Sequence, residues 1–168
     1  MNEIASAVII GIGATLVMDA WGLVRKQLLG IPPADYGLVG RWLGHMKQGR
    51  FRHERIAAAS PVPAERLLGW GAHYLIGVVF ALLLVAMCGA EWLRQPTLLP
   101  ALVWGIVTVA APFLLMQPGM GAGGMGAGVA ASRTPRPNAA RLQSLITHSV
   151  FGLGLYGSAL LLNAVKGV

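Results

Sequence analysis

Residues 67–88 read LLGWGAHYLIGVVFALLLVAMC, and this stretch decides the class of fold. It contains no Asp, Glu, Lys or Arg. Its length suffices to cross the hydrocarbon core of a bilayer, which takes about 20 residues of helix. A helix is expected rather than a barrel strand, because the apolar residues run on without alternating with polar ones.

Three further apolar segments of this kind surround it, at residues 4–24, 98–116 and 142–165. The whole chain of 168 residues is 55% hydrophobic and only 11% charged, whereas a soluble domain carries about 25% charged residues. So little polar surface predicts that lipid is the solvent for most of the chain. We therefore expect an all-α integral membrane protein, a four-transmembrane-helix bundle forming a single membrane domain over residues 1–168.

Proline and charge set the expected interruptions and orientation. Pro112 lies inside the third segment and is predicted to kink it or end it early.

The loops at 25–66 and 117–141 hold eight and three of the Lys and Arg residues, whereas Arg94 and Lys166 account for the rest. The positive-inside rule makes these two loops cytoplasmic. Both termini then lie in the periplasm, with the chain in the inner membrane of a bacterium.

The first loop contains a candidate interfacial helix. Leu38, Trp42 and Met46 recur at helical spacing, which favours a short amphipathic segment lying against anionic headgroups. Several glycines in the same stretch weaken the prediction of a helix. His45 and His53 in this basic loop are expected to be solvated or near headgroups rather than to be ligands. The net charge of +7 is explained by this orientation, and nucleic acid is not an expected partner.

The third loop opens with a run of Gly, Ala and Met at residues 119–128. Either a flexible loop or a close-packed helical extension fits this composition. A phosphate-binding loop is disfavoured, since the run lacks the GxxxxGK[ST] pattern.

Asp19, His73 and His148 are the candidate site, because ionisable groups inside a membrane are costly and usually functional. Asp19 precedes Arg25 by six residues, about 9 Å along a helix, and each histidine follows an arginine by seven, about 10 Å. All three are therefore predicted at one depth. Each also lies on the small-residue face of its helix, which is the face that packs against other helices.

Five other side chains belong to the same hypothesis with smaller roles. Thr15 shares the helical stripe of Asp19, and Tyr156 shares that of His148. Gln117 is expected near the cytoplasmic edge as an outer ligand- or proton-binding candidate. Met116 and Met120 offer soft ligands, so the metal candidates are Asp19, His73, His148, Met116 and Met120.

Three functions follow from this constellation and stay open. The first is transport or sensing of a small solute, cation or proton through the intramembrane Asp/His site, with a homodimer as the unit. The second is a membrane-embedded metal or redox enzyme with a transition metal, although no HExxH-like spacing supports it. The third is an accessory subunit in which an Asp-His pair is structural. No nucleophile arrangement points to an enzyme, and no cofactor is strongly implied.

The sequence resembles an uncharacterised bacterial inner-membrane family, the domain of unknown function numbered 2938. The similarity lies in MDAW at 18–21, YGLVGRWLGHMKQGRF at 36–51, GWGAHYLIGVVFA at 69–81, PFLLMQPGMGAG at 112–123 and AASRTPRP at 130–137. It covers nearly the whole chain. The resemblance implies a membrane protein, and it assigns neither an activity nor catalytic residues.

Overall fold

The computed structural model of the chain describes residues 2–124 and 130–167. Its elements are α1 (Glu3–Leu29), α2 (Tyr36–Met46), a 3-10 turn (Ile56–Ala58), α3 (Glu65–Arg94), α4 (Leu98–Val107), a π-helical segment (Ala111–Met116), α5 (Gln117–Met120) and α6 (Pro137–Lys166). No strand occurs within the two described ranges. The predicted all-α class is confirmed.

Four helical stretches are long and apolar enough to cross a membrane: α1, α3, Leu98–Met120 and α6. They overlap the four predicted segments. The number of candidate spans and their order along the chain are therefore as the sequence predicts.

The ends of the spans differ from the prediction: α3 runs to Arg94 rather than Cys88, and the third span runs to Met120 rather than Met116. α1 runs past residue 24 to Leu29, where Gly30 takes a left-handed conformation at φ 66 and donates its N–H to the Lys26 carbonyl. Basic residues such as Arg25 do not break a helix, and glycine supplies the usual left-handed cap. α6 begins at Pro137 rather than residue 142, since proline suits the first turn of a helix. Both predicted loops are shortened accordingly.

The interruption predicted around Pro112 is present. α4 ends at Val107, and the chain continues as the π-helical segment, in which the Gln117 N–H donates to the Pro112 carbonyl. Proline has no N–H to give to a regular helix, so the hydrogen-bond pattern has to change there. Gln117 consequently begins a last helical turn and does not lie in a loop. The Gly-rich run of residues 119–128 follows, and its residues 125–128 lie outside the described part of the chain.

The chain divides into two compact units. Unit 1 comprises Met1–Pro33, Tyr74–Thr108 and Ile146–Val168. Its core holds Ile10, Leu84 and Leu155, each essentially inaccessible to solvent. A side chain at Gly11 would collide with the backbone of Val78, and one at Gly105 would collide with that of Gly152. The small-residue faces predicted from the sequence are thus the faces on which these helices pack.

Unit 2 comprises Ala34–His73 and Val109–Leu145. Here α2 packs against the first turns of α3, so closely that a Cβ at Gly40 would overlap the Glu65 carbonyl and one at Gly69 would overlap that of Tyr36. The glycines that weaken α2 as an isolated helix are what allow this contact. Trp42 is buried as well, so the predicted apolar face of α2 is at least partly covered by protein.

Arg41 ties α2 to the start of α3 within unit 2. Its guanidinium donates two hydrogen bonds of 2.9 Å to the two carboxylate oxygens of Glu65, and others to the carbonyls of Ala57 and Ala59. The hydrogen bonds to Glu65 raise the pKa of Arg41, so the cation is fixed in its charged form. A bidentate pair of this kind also fixes orientation, which a single contact does not.

Candidate functional site

Asp19 lies in α1, four residues after Thr15, and is half-buried. The hydroxyl of Tyr74 in α3 donates a hydrogen bond of 2.9 Å to its Oδ2. Both residues belong to unit 1. A carboxylate in an apolar helix is therefore met by a polar group of a second apolar helix, which lowers the cost of placing it there.

Thr15 is 1% exposed and sits one turn before Asp19. Its hydroxyl donates to the Gly11 carbonyl of its own helix at 2.8 Å. A Cβ added at Gly77 would overlap the Thr15 hydroxyl, so α3 passes directly over this residue. Its hydroxyl proton is already used within α1, and the structure places Thr15 in helix packing.

His148 in α6 contacts Thr108, which follows the last residue of α4. The Thr108 hydroxyl donates to the Gly105 carbonyl at 2.5 Å and lies 2.8 Å from the His148 Nδ1. A hydroxyl has one proton to donate, and a carbonyl can only accept. The Thr108 oxygen therefore accepts from Nδ1–H, and the Nε2 of His148 carries the lone pair.

Arg25 is a third polar group of unit 1 and is only 8% exposed. One guanidinium nitrogen donates to the Thr147 hydroxyl at 3.3 Å, and another donates to the Pro32 carbonyl at 3.1 Å. In the sequence, Arg25 stands out only as a cation that flanks the first apolar segment. Its burial beside Thr147, the neighbour of His148 in α6, makes it a functional candidate.

His73 belongs to unit 2 and has aromatic neighbours. Its ring stacks on that of Tyr36 with a centroid distance of 3.9 Å and an interplanar angle of 22°, and Trp70 meets it edge-on at 5.9 Å. Asp19 and His148 belong to unit 1. The predicted meeting of the three ionisable groups stays a prediction.

The outer candidates are placed as follows. Gln117 begins α5, and its Oε1 is buried with no hydrogen-bond partner in the part of the chain that the structure describes. Met116 ends the π-helical segment, and Met120 ends α5. Tyr156 packs against the core of unit 1. Over residues 2–124 and 130–167, no three His, Cys, Asp or Glu side chains are grouped so as to hold a metal ion.

His45 and His53 differ from expectation. His45 is 4% exposed, and its ring meets that of His53 edge-on at 5.0 Å. The expected solvated position is therefore wrong for His45, because the close packing of the glycine-rich α2 carries it into unit 2. Burial lowers the pKa of His53, and the charges of His45 and Arg50 act in the same direction.

Sequence reasoning missed Tyr74 and Thr108 as partners of the site. Signals for both exist in the sequence. A tyrosine inside an apolar helix needs a partner for its hydroxyl, and Tyr74 directly follows His73. Thr108 is a polar residue inside the third span and needs an acceptor in the same way.

Four apolar helices of spanning length, with a hydrogen-bonded carboxylate inside one of them, define an all-α protein with the composition of a polytopic membrane protein. The model of the family described as "Protein of unknown function (DUF2938)" matches residues 8–162, and the chain belongs to this family. The resemblance stated from the sequence is confirmed. Neither a curated protein nor a solved structure matches the chain.

Proposed function

We propose that the chain is a polytopic protein of a bacterial inner membrane, with α1, α3, Leu98–Met120 and α6 as its spans. The exposed surface supports this, since large apolar side chains such as Leu16, Leu75 and Leu161 face outward along these helices. In water such a surface would be an aggregation liability, whereas in lipid it is the expected one. The Lys and Arg distribution places the loops after α1 and after α5 in the cytoplasm.

Cysteine labelling tests this arrangement. With Cys88 replaced by serine, Gln48→Cys and Gln95→Cys give two matched reporters, because both glutamines are exposed and flank α3 on opposite ends. A membrane-impermeant maleimide should label residue 95 in cells with a permeabilised outer membrane, and residue 48 only after the inner membrane is opened. Labelling of both residues while the inner membrane is still intact would contradict the proposed orientation.

Within this frame we propose that the polar groups of unit 1 serve transport of protons or small cations. The observation that carries the proposal is the Asp19 carboxylate, half-buried in α1 and hydrogen-bonded to Tyr74. Ionisable residues inside membrane spans are rare, and those that occur commonly mark ion and proton pathways. Asp19 would bind the cation or proton, with His148 as its titrating partner, and a homodimer would be the working unit.

A structural role is the second candidate, and the same contacts favour it. Tyr74 satisfies Asp19, Thr108 satisfies Nδ1 of His148, and Thr15 bonds its own helix. Polar pairs between helices are known to fix register and orientation. The chain would then be an accessory subunit, and the bonds would hold α1, α3, α4 and α6 in place.

Reconstitution in liposomes separates the two. The transport proposal expects pH-dependent proton or cation flux that disappears in Asp19→Asn. Glu91→Gln is the matched control, because it makes the same carboxylate-to-amide change at an exposed surface pair with Arg94. Flux that is absent from the wild-type protein, or equal in Asp19→Asn, would refute transport and leave the structural role.

A further inference from the structure

A pair of histidines in unit 2, the buried His45 and the half-buried His53, has no part in the proposed transport site. His45 lies near the end of α2, and its Nε2 is 2.9 Å from the Ser60 carbonyl. A carbonyl accepts only, so Nε2 carries the hydrogen and Nδ1 carries the lone pair. That Nδ1 is buried, and within residues 2–124 and 130–167 no group hydrogen-bonds to it.

His53 has the same arrangement with its nitrogens exchanged. It makes a hydrogen bond with the backbone of Arg50, while its Nε2 is buried and lacks a partner among the described residues. The bond to Arg50 is therefore made by Nδ1, which leaves the Nε2 lone pair available.

The separation of the two ring centroids matches that of two histidines bound to one metal ion. Their centroids are 5.0 Å apart, with an interplanar angle of 65°. Two imidazoles on one tetrahedral Zn²⁺, with Zn–N bonds of about 2.0 Å, bring their centroids to about 5 Å. Each ring also donates its second nitrogen to a backbone carbonyl, which is the usual way in which a ligating histidine is oriented.

The backbone holds the second histidine in place. The His53 N–H donates to the Gly119 carbonyl at 2.9 Å, and the Trp42 indole donates to the Phe51 carbonyl at 2.9 Å. Gln117, two residues before Gly119, has the buried Oε1 already described. Three buried acceptor atoms without hydrogen-bond partners in the described structure thus belong to unit 2, where each costs stability unless something binds it.

We propose that His45 and His53 form a site for a late divalent transition-metal ion, with Zn²⁺ as the representative. His45 Nδ1 and His53 Nε2 are its protein nitrogens. Imidazole suits zinc, copper and nickel, and two nitrogens leave coordination positions for oxygen donors or water. The site is independent of Asp19 and of transport.

Calorimetric titration with Zn²⁺ tests the site in the full-length protein, purified in detergent after treatment with a chelator. Wild type should bind about one ion per chain. Loss of an outer-shell partner weakens metal affinity by roughly 10- to 100-fold. His45→Ala and His53→Ala each remove a ligand, so each should weaken Zn²⁺ binding by more than this. Gln48→Ala, at an exposed position between the two histidines in sequence, is the control and should bind as wild type does.

Co²⁺ gives a second readout that does not depend on the buried His45 tolerating substitution. A tetrahedral Co²⁺ absorption band should appear in wild type and in Gln48→Ala and be lost in His53→Ala, whose side chain is only half-buried. Failure of wild type to bind Zn²⁺ would overturn the proposal. Unchanged Zn²⁺ binding in a folded His53→Ala protein would overturn it equally.

Discussion

The hydroxyl of Tyr74 in α3 donates a 2.9 Å hydrogen bond to the Asp19 carboxylate in α1. Both helices are apolar and long enough to cross a membrane. The bond therefore joins two candidate spans. Whether Asp19 serves as a binding group or only as an acceptor for Tyr74 is the question that decides the function of the chain.

Tyr74→Phe should lower the free energy of unfolding by about 1.5–3 kcal/mol, the range for a hydrogen bond to a charged group. The ring and its packing are kept, so the loss reports the hydroxyl. Chemical unfolding in detergent measures it. Tyr156→Phe makes the same change in α6 and is the control. An equal loss of unfolding free energy in the two variants would show that the hydrogen bond to Asp19 adds no stability of its own.

Gly69→Ala should destabilise the protein by about 1–3 kcal/mol, because the added methyl group overlaps the Tyr36 carbonyl. Gly71→Ala is a matched control two residues further along α3, where a Cβ has nothing within 4 Å. That change should be neutral or stabilising by up to about 1 kcal/mol, through helix propensity. Thermal unfolding of both variants measures the difference, and equal midpoints would refute the close contact of α2 with α3.

The hydrogen bond to Thr108 predicts which nitrogen of His148 carries the hydrogen. ¹⁵N spectra of histidine-labelled protein should show His148 protonated at Nδ1, since Thr108 accepts from that nitrogen. Thr108→Val keeps the shape and removes the acceptor, so the Nδ1–H form should lose its preference. The resonance is assigned by its absence from His148→Gln. An Nε2–H tautomer in the wild-type protein would contradict the hydrogen-bond arrangement.

Arg41→Lys should destabilise unit 2, although the charge is kept. Lysine has no planar fork to reach both Glu65 oxygens, and it also loses the Ala57 and Ala59 carbonyls. Arg52→Lys, at an exposed position of the same loop, is the control and should leave the unfolding midpoint unchanged. The same midpoint for the two variants would mean that the bidentate pair adds no stability.

The four spans were predictable because apolar length is a property of each segment by itself. Their ends were less so, since α1 stops at Gly30 and not at the first cation, Arg25. The site shows the same division. Asp19 and His148 stand out as ionisable residues in apolar sequence. Tyr74 and Thr108 also stand out as polar residues there, but the tertiary structure is needed to pair them with Asp19 and His148.

Unit 2 was the least predictable part. His45 is buried, and Gly40 and Gly69 permit a close contact between α2 and α3 in the same unit. In a single sequence those glycines read only as weak helix formers. Such tertiary contacts cannot be read from local propensity, which is why the loop was expected to hold its histidines at the surface.

The most direct test of the central claim compares proton flux through Asp19→Glu and Asp19→Asn in liposomes. Glutamate keeps an ionisable carboxylate one methylene group further out, whereas asparagine keeps the shape and loses the charge. The account predicts pH-dependent flux through Asp19→Glu and none through Asp19→Asn. Flux at the wild-type level through both variants, or no flux through the wild-type protein, would contradict a role for the Asp19 carboxylate in transport.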